Sequence, residues 1–411
     1  MTDTTAGQGS VRWTPWRTVA AFGLVSLSAD MVYEGMRSVA GPFLGSLGAS
    51  ALTVGIITGA GEAIALALRV VTGPLADRSG RYWGLTVAGY AMTAVCVPLL
   101  AVTPYLGAAG LAVASLLILL ERTGKAVRSP SKSALLAHMA KPVGRGRGIA
   151  VHKSLDQVGA FAGPLVVAGM LALTGVYWPG FAILAIPGVV AMLLLAQLRR
   201  RTALLDEPAP GEEQPASDAP DVRRGRERLP RAFYAFALSC GAGTLGLMTF
   251  GVISFHLVDA GLLTAALVPV VYAAAMGLEA LAALATGFAY DRWEHRVLLV
   301  LPLLIALVPP LAFAGSVAPA LLGVAAWGFA VGIQDSTVKA LVADLVPTSG
   351  LATAYGVFAA FQGGAALAGG VLAGGLYRNH LGVLITVVAV LQALSLGLLL
   401  LTPRLRTAVA S

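Results

Sequence analysis

Apolar stretches of about 20 residues recur from one end of this chain to the other, with little that is polar between them. A helix of that length crosses the roughly 30 Å hydrocarbon core of a bilayer. Barrel strands are shorter and alternate in polarity, and no such alternation is present. Of the 411 residues 57% are hydrophobic and 12% are charged, too few charges to cover a water-soluble fold of this length. The expected fold is an all-α membrane protein of twelve transmembrane helices. They fall near 17–45, 51–76, 82–103, 106–136, 148–173 and 178–198, then 231–256, 265–290, 296–314, 319–346, 351–376 and 381–402.

Lys and Arg crowd into alternate loops. If residues 1–16 form a cytoplasmic segment, that side gathers Arg12, Arg17, Arg78, Arg81, Lys141, the Arg199–Arg201 run, Arg292 and Arg404, among others. The opposite loops hold Arg378. This bias predicts cytoplasmic N- and C-termini, with 403–411 as a cytoplasmic tail. No signal peptide is expected, because no short apolar core precedes a small-residue cleavage site. Residues 199–230, RRRTALLDEPAPGEEQPASDAPDVRRGRERLP, are polar and rich in Pro, Glu and Asp. Such a stretch buries too little apolar area to fold, and a disordered cytoplasmic linker is expected. It separates two six-helix bundles, 17–198 and 231–402.

The bundles repeat one another. TGPLADRSGR at 72–81 returns as TGFAYDRWEHR at 286–296, matching Gly73 with Gly287, Asp77 with Asp291 and Arg78 with Arg292. ALLAHM at 134–139 returns as ALVADL at 340–345, and DQVGAFAG at 156–163 resembles FQGGAALA at 361–368.

The stretch GPLADRSGR, with Gly73, Asp77, Arg78, Gly80 and Arg81, resembles the loop 2–3 signature of the major facilitator superfamily of secondary transporters. Gly159, Gly163 and Pro164 in GAFAGP resemble that family's fifth-helix antiporter motif, without its final glycine pair. Glu121, Arg122, Gly124 and Lys125 loosely resemble its fourth-helix motif. The resemblance covers essentially the whole chain. It implies two pseudo-symmetric bundles, a central substrate site and alternating access, and its antiporter motif points to drug/proton antiport. It also implies a cytoplasmic gate at Gly73, Asp77, Arg78 and Arg81, mirrored by Gly287, Asp291 and Arg292. The loop acid would cap a helix of the opposite half when that side is closed.

Ionisable groups inside a bilayer are costly, so they are expected to face the bundle interior, pair, or line a pathway. Asp30, Glu34 and Arg37 are spaced to share one helix face. Glu62 falls about 16 Å below the outer end of its helix, with no basic residue within one turn. An unpartnered carboxyl there would bind a proton or a cation. Glu62, Asp30 and Glu34 are therefore the candidate proton-coupling residues, and Tyr33, Arg37, Glu62, Glu279 and Gln362 the candidate substrate site. Glu121, Arg122, Lys125 and Arg128 form a charged stripe with Lys132. His152 and Asp156 lie on a second stripe expected to meet it in an intramembrane network, and Asp335 with Lys339 mirrors Glu121 with Lys125. The glycines of the antiporter-like motif are most simply read as close helix packing.

The expected function is transport of a small-molecule substrate across the plasma membrane, with protons as coupling ion and efflux by antiport as the leading reading. Uptake by a symporter or uniporter is the alternative, and a lipid translocase or transporter-like receptor a third. Acids and bases within the spans roughly balance, so substrate charge stays open. No phosphate-binding loop, catalytic constellation, cofactor site or metal-ligand spacing is found, and Cys96 and Cys240 form no such pattern. The partners expected are lipid, protons and solute but no nucleic acid, with the chain a monomer.

Overall fold

The computed structural model describes residues 13–202, 229–346 and 351–410. The centre of the expected linker and the side chains of Asp291 and Lys339 lie outside the described residues. The first half contains α1 (Pro15–Ser46), α2 (Ala51–Ser79), α3 (Tyr82–Tyr105), α4 (Gly107–Val143), α5 (Arg145–Thr174) and α6 (Trp178–Thr202). The second contains α7 (Arg231–Asp259), α8 (Leu267–Trp293), α9 (Arg296–Ala312), α10 (Val317–Leu345), α11 (Leu351–Leu376) and α12 (Leu381–Ala410). Among the described residues, ten of these are long and apolar enough to cross a membrane. Of the other two, α9 is apolar but shorter, and α1 has 32 residues with Asp30, Glu34 and Arg37 near its middle.

Local chemistry sets several ends. Pro15 opens α1, and the Thr14 hydroxyl accepts the Arg17 N–H at 3.4 Å, satisfying one of the first-turn donors. Gly80, at φ +63°, ends α2 in the left-handed region that a side chain disfavours. Asp77 and Arg78 are therefore the last turn of α2, not a loop. At the other boundary, α6 continues through Arg199–Arg201, cations that suit the negative end of a helix dipole. The helix α12 likewise runs past 402 to Ala410.

Large apolar side chains such as Leu173, Phe288 and Leu193 point outward, as a surface facing lipid requires. Between the halves, α1 packs on α7, α2 on α11 and α5 on α8. At one end these contacts are backbone to backbone. A Cβ on Gly41 would collide with the carbonyl of Gly251, and one on Gly55 with the carbonyl of Gly370. Only glycine permits that approach, and it seals this end. The end carrying Gly73 and Asp77 is open: a Cβ on Gly73 or on its repeat mate Gly287 would meet nothing within 4 Å.

Candidate substrate cavity between the halves

A cavity of about 840 Å³ enters from the open end, past Gly73, Asp77 and Lys153, and runs between the halves to Arg37, Glu62 and Thr249. That is the size range of small-molecule sites. Its floor is the sealed layer. There Thr58 of α2 and Thr249 of α7 share a hydrogen bond of 2.7 Å across the halves.

The charged face of α1 points into this space. Its spacing places Asp30, Glu34 and Arg37 together, but Arg37 does more than neutralise Glu34. It lies 3.0 Å from Glu62 and 3.8 Å from Glu34. Arg122 also reaches Glu62, at 3.6 Å, as well as Glu121 at 3.2 Å, and donates to the Tyr33 hydroxyl. Glu62 is thus not the unpartnered carboxyl expected from its own helix. Its partners come from α1 and α4, one folded across it and the other beside it, and neither is near it in sequence.

The two stripes on α4 and α5 do meet. Lys132 lies 3.6 Å from Asp156, and His152 Nδ1 lies 3.6 Å from the same carboxylate. Lys132 also donates to Ser26 at 2.5 Å. On α4, Arg128 donates to Thr93 at 2.5 Å, and Thr93 donates to Glu121 at 3.1 Å, so one hydroxyl bridges a cation and an anion. Lys125 Nζ sits 3.8 Å from the centre of the Tyr33 ring, a cation–π contact.

The second half lines the other wall. Glu279 of α8 and Asp335 of α10 face the cavity, as does Gln362 of α11. Gln334 donates to Thr244 at 2.5 Å and to Gln362 at 3.1 Å, and Thr244 donates to Gln362, forming a small amide–hydroxyl cluster. At Met248 (φ +53°) α7 breaks its helix, and the Trp327 indole donates to the freed Met248 carbonyl at 3.4 Å. The hydroxyl of Tyr272 on α8 crosses to donate to Glu34 at 2.5 Å.

Sequence reasoning named the cavity's Asp30, Tyr33, Glu34, Arg37, Glu62, Glu279, Asp335 and Gln362. It missed Thr244, Gln334, Met248 and Trp327. Gln334 had a signal, a polar side chain beside Asp335 in an apolar helix. Met248 and Tyr272 had none. Asp77, expected at a gate, is exposed at the mouth and accepts the Tyr82 hydroxyl at 3.0 Å within its own half. Arg78 and Arg81 are exposed, as is Arg292. The glycines of the antiporter-like motif, Gly159 and Gly163, lie against the backbone of α1 at Leu27 and Met31, where a Cβ would collide. Close packing of α5 on α1 is what they do here, with Pro164 buried in the same helix. No group of three or more metal-ligating side chains gathers among the described residues.

Two helical bundles around one central cavity, shut at one end and open at the other, define a polytopic membrane transporter. The pattern of the Major Facilitator Superfamily matches residues 22–370, and the chain belongs to that family. It is 50% identical to an uncharacterized protein of Mycobacterium tuberculosis over 387 residues, 93% of this chain and 91% of the relative. It is 24% identical to an uncharacterized MFS-type transporter of Methanocaldococcus jannaschii over 371 residues, 88% and 89% of the two chains. Its fold is similar to a crystal structure of the nucleoside transporter NupG, with a TM-score of 0.72 at 13% identity over 94% of this chain and 99% of that one.

Proposed function

We propose that this chain is a proton-coupled exporter of a small organic solute, working by alternating access in the plasma membrane as a monomer with both termini cytoplasmic. The observation that carries the reading is the cavity between the halves, sealed by glycine contacts at one end and reaching Asp77 at the other. On this reading the open end faces the cytoplasm, in keeping with the Arg-rich segments on that side, and the structure is the solute-loading state. Antiport requires that proton and solute exclude each other. The carboxyls along the cavity supply the means, since a cationic group of the solute and a proton compete for the same oxygens.

Among the candidate carboxyls, Asp30 fits the coupled proton best. It lines the cavity and has no ion pair within 4.0 Å among the described residues, whereas Glu62 is engaged by two guanidiniums. Glu62 and Glu34 then organise the floor, with Arg37 and Tyr272. When the mouth closes, Asp77 exchanges Tyr82 for the opposite half, near a helix N-terminus that would attract its charge.

The test is a pH-gradient assay in proteoliposomes against a panel of metabolites and drugs. Proton release driven by added solute supports antiport. Movement of solute and proton in the same direction would replace export with symport. No response to any solute in the panel would overturn the transport reading in favour of a receptor or lipid translocase.

A further inference from the structure

The charges around the cavity are unevenly placed: every described cation lining it comes from the first half. Glu62, Glu34 and Asp156 are each already met by a cation of their own half. Left unmatched on the first half's wall are two acids, Asp30 and Asp77, and four cations: Lys153 at the mouth, and Arg69 of α2 with Lys125 and Arg128 of α4. None of these cations has a carboxylate within 4.0 Å among the described residues, and all four line the cavity. Arg128 is only 4% exposed, its charge met by the Thr93 hydroxyl and the face of Tyr90. The Nε of Arg69 is buried without a hydrogen-bond partner.

The opposite wall is the reverse. It presents Glu279 and Asp335, neither ion-paired among the described residues, and no described cation from its own half lines the cavity. The same wall carries the Thr244–Gln334–Gln362 cluster, neutral and able to accept or donate. A singly charged solute would satisfy one wall and be repelled by the other. A solute carrying both charges would satisfy both, and would add no net charge to a cavity within the bilayer.

Resting on the reading of this cavity as a transport site, we propose that the solute is amphoteric. Its anionic group is held by Arg69, Lys125 and Arg128, and its cationic group by Glu279 and Asp335. The volume of about 840 Å³ leaves room for a body between the charges.

The experiment uses the full chain, purified in detergent, and ω-amino acids of three to eight carbons, each beside the carboxylic acid and the amine of the same length. Binding is read by quenching of tryptophan fluorescence, since Trp327 lines the cavity. At least one ω-amino acid should bind ten-fold or more tightly than both its acid and its amine. Glu279→Gln with Asp335→Asn should abolish the advantage over the acid. Arg69→Gln with Lys125→Gln should abolish the advantage over the amine, and an unchanged thermal transition confirms that each pair still folds. Equal binding of the acid or amine by the unaltered chain overturns the inference without any variant, as does a lack of binding at every length. A proton-linked flux assay on the same samples separates the two readings. Proton-driven movement of singly charged solutes alone overturns the amphoteric substrate and leaves transport standing. Charge-patterned binding with no proton-linked movement does the opposite.

Discussion

Arg37 of α1 and Glu62 of α2 meet at 3.0 Å at the deep end of the cavity, where the two halves close on each other. Arg122 approaches the same carboxylate from α4, so one anion holds two cations from separate helices. Glu62→Gln would leave the two guanidiniums close together without the anion they share. The expected cost is about 2 kcal/mol of stability, seen as an earlier thermal transition of the purified protein. Adding Arg37→Gln to the same chain should recover much of the loss, because the surplus charge is gone. A double variant as unstable as the sum of the two single ones would show that the pair does not act as a unit.

Asp30→Asn should separate movement from coupling. Asparagine keeps the size and polarity of a protonated aspartate but has no proton to release. The variant is expected to exchange solute down its gradient at rates within a few-fold of the parent while failing to concentrate it against one. Counterflow and pH-driven uptake in proteoliposomes read the two separately. Retained uphill transport would return the coupling role to Glu34 or Glu62.

Much of the architecture was legible because a bilayer leaves few choices: only helices satisfy their own backbone, so run length and loop charge suffice. The face shared by Asp30, Glu34 and Arg37 could be read from spacing alone. The partners of Glu62 could not, because Arg37 and Arg122 reach it only after three helices pack. The GPLADRSGR stretch reads as a loop by composition, yet Gly80 and Arg81 alone make the turn and leave Asp77 helical. The carbonyl freed by the break at Met248 accepts the indole N–H of Trp327, 79 residues away, a partner no local pattern carries.

Gly73 and Gly287 occupy equivalent positions in the two halves, and both are unopposed in this state. At the sealed end the corresponding approach is made by glycines pressed on backbone. If the mouth closes in the same way, Gly73→Val and Gly287→Val fill space that closure needs. Each should bind solute as the parent does and lower transport about ten-fold or more, with little effect on thermal stability. Binding by equilibrium dialysis and flux in proteoliposomes give the two numbers. Normal flux in both variants would mean that the mouth closes elsewhere.

Tyr272 of the second half donates to Glu34 of the first at 2.5 Å, a bond that joins the two halves beside the sealed end. A hydrogen bond to a charged acceptor contributes about 1.5–3 kcal/mol net, and opening that end must break it. Tyr272→Phe removes the donor while keeping the ring, which packs against Phe250 at 4.6 Å. The sealed state therefore loses stability relative to its opposite, and the population ratio should move toward the opposite state by about ten-fold. Spin labels on Arg78 and Arg292, exposed on the two sides of the mouth, would report the change as a growing short-distance component in pulsed dipolar measurements. Glu34→Gln, whose side chain can still accept the tyrosine proton, should shift the distribution less. A distribution unchanged by Tyr272→Phe would mean that the bond follows closure and does not help to set it.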